Sequence, residues 1–331
     1  MTTLSPLRPG RGTHALRPPP RRPTLPRVRP NLPRPALARP AVTRTRSAAQ
    51  ADTNPRALLA GAGLILLAAM LFGFVIEVAL VGGLRHSRTQ HTAYAAFRLS
   101  LAEGTAPTSP VDVSGQPLAS GTPMALIDIP RLHLHEVVRE GTTSGVLEGG
   151  PGHLPSTVFP GEAGPSVIYG RRAGYGGPFS DIDGLHAGDV IKTTSGVGTF
   201  TFRVIDVRRA GDPLPAPLAA GQGRLTLVTA TGAMFLPSGA LRVDADLVGQ
   251  AQPAGPVISD ISSSEQPLAS DSNAWSAVAQ SLELLLVCTL ALTWAALRWG
   301  RWQAWVIGTP VIAVVGIFAA DQTARLLPNL L

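Results

Sequence analysis

The 331-residue sequence is 45% hydrophobic, 15% charged and carries a net charge of +7, and its positive mean hydropathy points to membrane segments. The charge is uneven: residues 1–56 hold twelve arginines against one acid, Asp52, so the overall +7 is +11 from this tail and −4 from everything after it. A single cysteine, Cys288, excludes an internal disulfide.

The tail also holds twelve of the 31 prolines and few large apolar residues, so it cannot bury a core and is expected to be a disordered, basic, Pro/Arg-rich arm. Residues 57–84, ALLAGAGLILLAAMLFGFVIEVALVGGL, form an apolar run of 28 broken only by Glu77. That exceeds the roughly 20 residues a helix needs to cross a bilayer. It is also too long, and too far from the start, for a signal peptide, so an uncleaved anchor is expected. The arginines before it place the N-terminus in the cytoplasm and the residues beyond the span outside. Anionic lipid headgroups are the favoured partner of the arm, at about 1 kcal/mol per basic residue near the surface, and nucleic acid is not expected as a partner.

Residues 85–103 read as a helical stalk and 104–123, rich in Gly, Pro, Ser and Thr, as a linker. From 124 to 249 the signals are β: MALIDIP, GTFTFRVIDV and LRVDADLVG alternate, and RLTLVT is a buried run. Short helices are expected between Pro178 and Leu185 and around Pro215 to Ala220. The span is long enough for a core of its own, and the pattern predicts a mostly β domain, a small barrel or sandwich. Residues 250–274 read as a second linker. Two further apolar runs, 275–297 and 304–320, predict a second and a third transmembrane helix. Between them Arg298 and Arg301 flank Trp299 and Trp302, a cytoplasmic interface signature that makes the chain multi-pass. Pro310 leaves a re-entrant hairpin as the alternative for the third span. Glu77 and Glu283 sit at similar depths with no cation at that level, so each is expected as a neutral carboxyl in an interhelical hydrogen bond, with a proton relay as the alternative. Cys288, mid-span, is expected to pack.

Five motifs succeed one another in the β region: ALIDIPRLHLHEVVREGT, GPGHLPSTVFPGEAGPSVIYG, GPFSDIDGLHAGDVI, RLTLVTA and ALRVDADLV. In this order and spacing, residues 124–249 resemble the sortase family, particularly the housekeeping and pilin-type enzymes of actinobacteria (classes E and F). The resemblance implies an eight-stranded β-barrel with short helices, a membrane anchor and a groove for a sorting-signal peptide. It also implies transpeptidation by a cysteine nucleophile, a histidine proton donor and an arginine that holds the oxyanion.

The sequence departs from that pattern where the chemistry lies. The family's Gly-His-Arg is VIYGRR, which puts Arg171 at the histidine; its Thr-Leu-x-Thr-Cys is TLVTA, which puts Ala230 at the nucleophile. The family's arginine falls on Arg242, or on Ala240 if the preceding loop slips by two residues. Thr229, Thr231 and Ser238 lie nearby, but a hydroxyl needs an adjacent base and an arginine stays protonated. His153 is expected to hold a loop by hydrogen bonds. His133, His135 and His186 lack zinc-ligand spacing, and no phosphate loop or dinucleotide fingerprint is present, so no metal or cofactor is expected. The losses imply a membrane-anchored pseudoenzyme whose barrel lies outside the cell. Its partners would be a sorting-signal-like peptide, a surface protein or an active sortase. The alternative is an active, cysteine-independent transpeptidase or hydrolase with a displaced catalytic set. Candidate ligand contacts are Arg171, Arg172, Tyr169 and Thr229, with Val167 and Leu227 lining an apolar cleft and the guanidinium poised for a carboxylate. Alternatively, Arg171 pairs internally with Asp181 or Asp183 and the cleft is closed.

Overall fold

The structure is a computed structural model that describes residues 64, 70–112, 114–233, 236–271, 274–298 and 301–331. The basic tail and the first part of the first expected span, apart from residue 64, lie outside the described residues.

The chain is helical from residue 70 to 103, with a π-helical bulge at Glu77–Val81 leading into a stalk helix, Gly82–Glu103. Gly104 ends it with a left-handed φ of +68°, and its amide bonds Leu101 and Ser100 carbonyls, an ending open to glycine because it has no Cβ. The stalk lies against the barrel: Gln90 bonds the backbone of Val137 in both directions and the Gly149 carbonyl, and His86 pairs with Glu136 at 3.0 Å.

Eight strands close a barrel in the order β1-β2-β3-β4-β7-β8-β6-β5. They are β1 Pro123–Ile129, β2 Leu134–Glu140, β3 Gly152–His153, β4 Gly164–Tyr169, β5 Val190–Ser195, β6 Gly198–Arg208, β7 Gly223–Ala233 and β8 Leu236–Leu247. The alternation seen in the sequence sorts side chains between two faces. Ile127, Ile168, Phe202, Leu225, Leu227 and Val243 enter the barrel core with others. The neighbouring positions Tyr169, Val228, Ala230 and Ala240 face outward into a second apolar cluster. A short helix at Ile182–Gly184 falls where one is expected. Residues 213–219 are not helical; Pro213, Pro215 and Pro217 remove every second amide donor and cannot continue a helical ladder.

Two helices, Ala274–Arg298 and Arg301–Ala324, come next as an antiparallel hairpin and are long and apolar enough to cross a membrane. Two such helices are described where three are expected. The last helix extends beyond the anticipated 304–320 and continues through Pro310. The two run close together, since a Cβ on Gly308 would lie 2.6 Å from Leu292 Cδ2. Glu77 departs from expectation. It is fully buried and pairs with Arg85 at 3.1 Å, because a long arginine side chain eight residues on reaches back along the helix. Glu283 instead lies on an exposed helix face.

Candidate functional site

The site forms on the outer face of β4, β7 and β8. Tyr169 on β4 stands opposite Val228 on β7, and Val228 stands opposite Arg242 on β8. One step along, Ala230 faces Ala240. Directly paired residues share a face, so Tyr169, Val228, Ala230, Ala240 and Arg242 lie on one surface. Both β8 positions considered from the sequence are therefore on that surface: Ala240 directly across from Ala230, and Arg242 two residues further along. Arg242 is half-buried; its side chain makes no hydrogen bond or ion pair with another described residue, and its charge opposes the rise that burial gives the Tyr169 hydroxyl.

The same alternation turns Leu227 and Thr229 away from this surface. Leu227 is buried in the barrel core, and the Thr229 hydroxyl donates to the Gly170 carbonyl at 2.8 Å. Neither position is aimed at the cleft. The sequence reading placed them with Tyr169 at the cleft, whereas a strand sends successive side chains to opposite faces.

Arg171 comes directly after Gly170 at the end of β4 and is 1% exposed, far from the solvent-facing position anticipated for it. One nitrogen donates to the Ser144 carbonyl and hydroxyl at 3.1 and 2.8 Å. Another donates to the Leu331 carbonyl at 2.9 Å. The guanidinium lies 4.9 Å from the Tyr175 ring centroid, a cation–π contact. Burial pushes its pKa down, with Glu148 opposing the shift, and it remains a cation at any working pH. It makes no ion pair with Asp181 or Asp183; the neighbouring Arg172 pairs with Asp183 at 3.5 Å and donates to the Ala230 carbonyl at 3.0 Å.

The residues the sequence did not bring to this site come from the end of the chain. Residues 326–331 fold back from the last helix into the cleft. Leu330 is fully buried in one apolar cluster with Leu147, Tyr169, Val228, Ala230 and Ala240, and Ala230 itself is 1% exposed. The Leu330 carbonyl accepts from the Arg172 amide at 2.9 Å. Asn329 Nδ2 donates to the Thr142 and Gln266 carbonyls, and the Asn329 amide to Ala269 O at 2.8 Å. Beneath the segment, Arg325 lies 3.4 Å from Glu148 and 3.5 Å from Asp321, while Asp321 also pairs with Arg85. Burial raises Glu148 to about 7 against the pull of Arg325 and Arg171. The one sequence signal for this segment is LLPNLL, an apolar stretch placed after the last span.

His153, 0% exposed, bonds Glu140, Val158 O and Thr157 within 3.1 Å. It ties β3 to the following loop, and burial leaves it no route to a ligand. Among the described residues no group of three or more His, Cys, Asp or Glu is arranged to hold a metal.

Residues 127–242 match the family model of the sortase domain. Sortase E from Streptomyces avermitilis is 30% identical over 45% of this chain and 100% of that one, with a TM-score of 0.34. The chain belongs to the sortase family. A sortase D5 transpeptidase from Clostridium perfringens is 26% identical over 49% of this chain and 99% of its own, with a TM-score of 0.41. Sortase D of Bacillus subtilis (strain 168) is 27% identical over 89 residues, 27% of this chain and 43% of that protein, so the match spans less than half the length of this curated relative. The sortase domain here thus keeps the closed eight-stranded barrel while its candidate site carries an alanine, a buried arginine and a leucine from its own C-terminal segment.

Proposed function

We propose that this sortase-family protein is a catalytically inactive, membrane-anchored binding protein that holds a peptide or a partner protein at the outer face of the membrane. The observation that carries this reading is Ala230 on the outer face of β7, buried in one apolar cluster with Leu330. A methyl group cannot attack a carbonyl or form a thioester, so the covalent route has no first step. Of the two hydroxyls that flank it on β7, Thr229 donates to the Gly170 carbonyl and Thr231 lies 3.4 Å from the Ser238 hydroxyl, so neither is paired with a base. The position that would supply a proton is Arg171, whose acidity lies far from neutral pH. For the reading with a displaced catalytic set, no nucleophile is paired with a base on this surface among the described residues.

The barrel and the apolar hairpin together support a protein fixed in the membrane, and the arginine asymmetry of the sequence supports placing the barrel outside. The partner classes are a sorting-signal-like peptide, a surface protein or an active sortase that this domain assists. Full-length protein in nanodiscs, incubated with sorting-signal peptides, should show no mass adduct and no cleaved peptide; a substrate-dependent acyl adduct would overturn the reading. The Ala230→Cys change alone should leave activity undetectable, because Arg171 cannot donate a proton. Ala230→Cys with Arg171→His, Arg242 left in place, has the better prospect.

A further inference from the structure

The cleft is filled by the chain's own residues, and the way it is filled carries a statement about its ligand. We propose that the segment 326–331 is a tethered ligand: it occupies the cleft as an apolar peptide folded into a tight turn would, with the Leu331 amide donating to the Pro328 carbonyl at 3.0 Å, and it must lift away before another such peptide can enter. The inference rests on the reading of the cleft as a binding site.

Three observations support it. First, the segment is held by the kinds of contact that recognise a peptide. The Arg172 amide binds the Leu330 carbonyl, the Arg171 guanidinium binds the Leu331 carbonyl, and a leucine side chain fills an apolar pocket. Main-chain bonds combined with a side chain buried in a pocket are a recurring way for peptides to be held. Second, the cleft is polarised for an acceptor. A fully buried guanidinium needs partners on its donor edges, and Leu331 supplies one that β4, β7 and β8 do not. With the segment gone, Arg171 would point an unsatisfied cation into an apolar slot, which defines the incoming ligand as a hydrophobic chain presenting a carbonyl or carboxylate oxygen. Third, the frame is strained where it meets the segment. Tyr175, over Arg171, and Leu268, packed against the Leu330 cluster, both adopt left-handed φ values, +43° and +62°. Such conformations are unfavourable for bulky residues and persist only where surroundings over-determine them.

The tether has a mechanical consequence. The segment continues directly from the helix that ends at Ala324, and Asp271 and Arg325 join the two ends of the hairpin by a backbone bond of 3.2 Å. Movement of the hairpin relative to the barrel would pull on Leu330.

The test uses the full chain in nanodiscs with Cys288→Ala, so that the thiol of an added Ala230→Cys change is the single reactive group. With the native segment this thiol should react with a small maleimide at least tenfold more slowly than in the same protein carrying Leu330→Glu. A synthetic peptide with the sequence of residues 325–331, RLLPNLL, should restore the protection in trans. Equal labelling with native and substituted segments would overturn the proposal. Failure of the peptide to protect would overturn it too, since the segment would then be held by the hairpin alone. Should Ala230→Cys itself disturb the cleft, hydrogen exchange at the Arg172 amide gives the same comparison without it: exchange should quicken at least tenfold with Leu330→Glu, and unchanged exchange would count against the proposal. An opened cleft that binds the RLLPNLL peptide but retains no sorting-signal peptide or protein partner would sink the proposed function while leaving the tethered ligand in place.

Discussion

The two faces of β7 obey different rules. The inner face, Leu225 and Leu227, enters a core of aliphatic and aromatic side chains contributed by every long strand of the barrel. The outer face, Val228 and Ala230, meets a small apolar cluster beside a buried guanidinium and a buried carboxyl, Arg171 and Glu148. Tyr175 brings a hydroxyl to the same place that has no hydrogen-bond partner among the described residues. A region whose only task is cohesion has no reason to bury charges. Local rules are commonly broken at sites that bind something, and here they are broken on one face of a strand whose other face keeps them.

The largest difference should appear on truncating one leucine from each face. Leu227→Ala removes a side chain from the closed core and should lower global stability by about 2–5 kcal/mol. Leu330→Ala removes an equally buried side chain, but the segment carrying it can detach while the barrel stays folded. Hydrogen exchange on the full chain separates the two outcomes. Leu227→Ala should accelerate exchange throughout β1, β7 and β8. Leu330→Ala should accelerate the Arg172 amide, which bonds Leu330, and leave the β1 amides as they were. Uniform acceleration by both variants would mean that segment and barrel form one cooperative unit.

This contrast also marks what was legible in the sequence. The strands could be read because alternation leaves a local trace, and the motif order around Ile127, Tyr169, Leu227 and Arg242 carried the family. Ala230 and Arg171 stood out because those positions are fixed by the flanking TLVT and VIYG. The occupancy of the cleft could not be read. Arg171 and Leu331 are 160 positions apart, and nothing in the local pattern of either states that they meet. The assignment of Leu227 and Thr229 to the cleft failed for a related reason: which face of a strand a residue takes is settled by the register with β4 and β8, and that register belongs to the tertiary structure.

A smaller effect should accompany a change of pH. Burial raises Glu148 from its ordinary value of 4.5 to about 7, so the folded state holds a proton that the unfolded chain releases at lower pH. This group's contribution to stability is therefore fully present below about 4.5 and is lost as pH rises through about 7. Arg325, Arg171 and Arg85 pull the other way and Asp321 adds to the rise. The full shift corresponds to at most about 3 kcal/mol. Thermal unfolding of the full chain at pH 5 and pH 8 should show the folded state weaker at the higher pH, and Glu148→Gln should flatten that dependence. A slope that survives the substitution would assign the titration to another group.

The smallest effect should come from Arg325, although it touches two acids. Its side chain is 36% exposed, and a pair reached by water gives up much of its Coulomb energy to screening and to the ordering of a long side chain. The 3.4 Å approach to Glu148 also lacks hydrogen-bond alignment, since the nitrogen and oxygen concerned have no hydrogen-bond partner. Losing the guanidinium leaves Glu148 buried, but that carboxyl is already poised to take up a proton, and neutralisation limits the penalty. Arg325→Ala should therefore loosen the segment by no more than about 1 kcal/mol, seen as a modestly faster exchange at the Arg172 amide. Added salt should narrow the difference from the native chain. If the variant instead released the segment as completely as Leu330→Glu, the ion cluster rather than the leucine would be the anchor, and the cleft face of β7 would owe its occupant to charge.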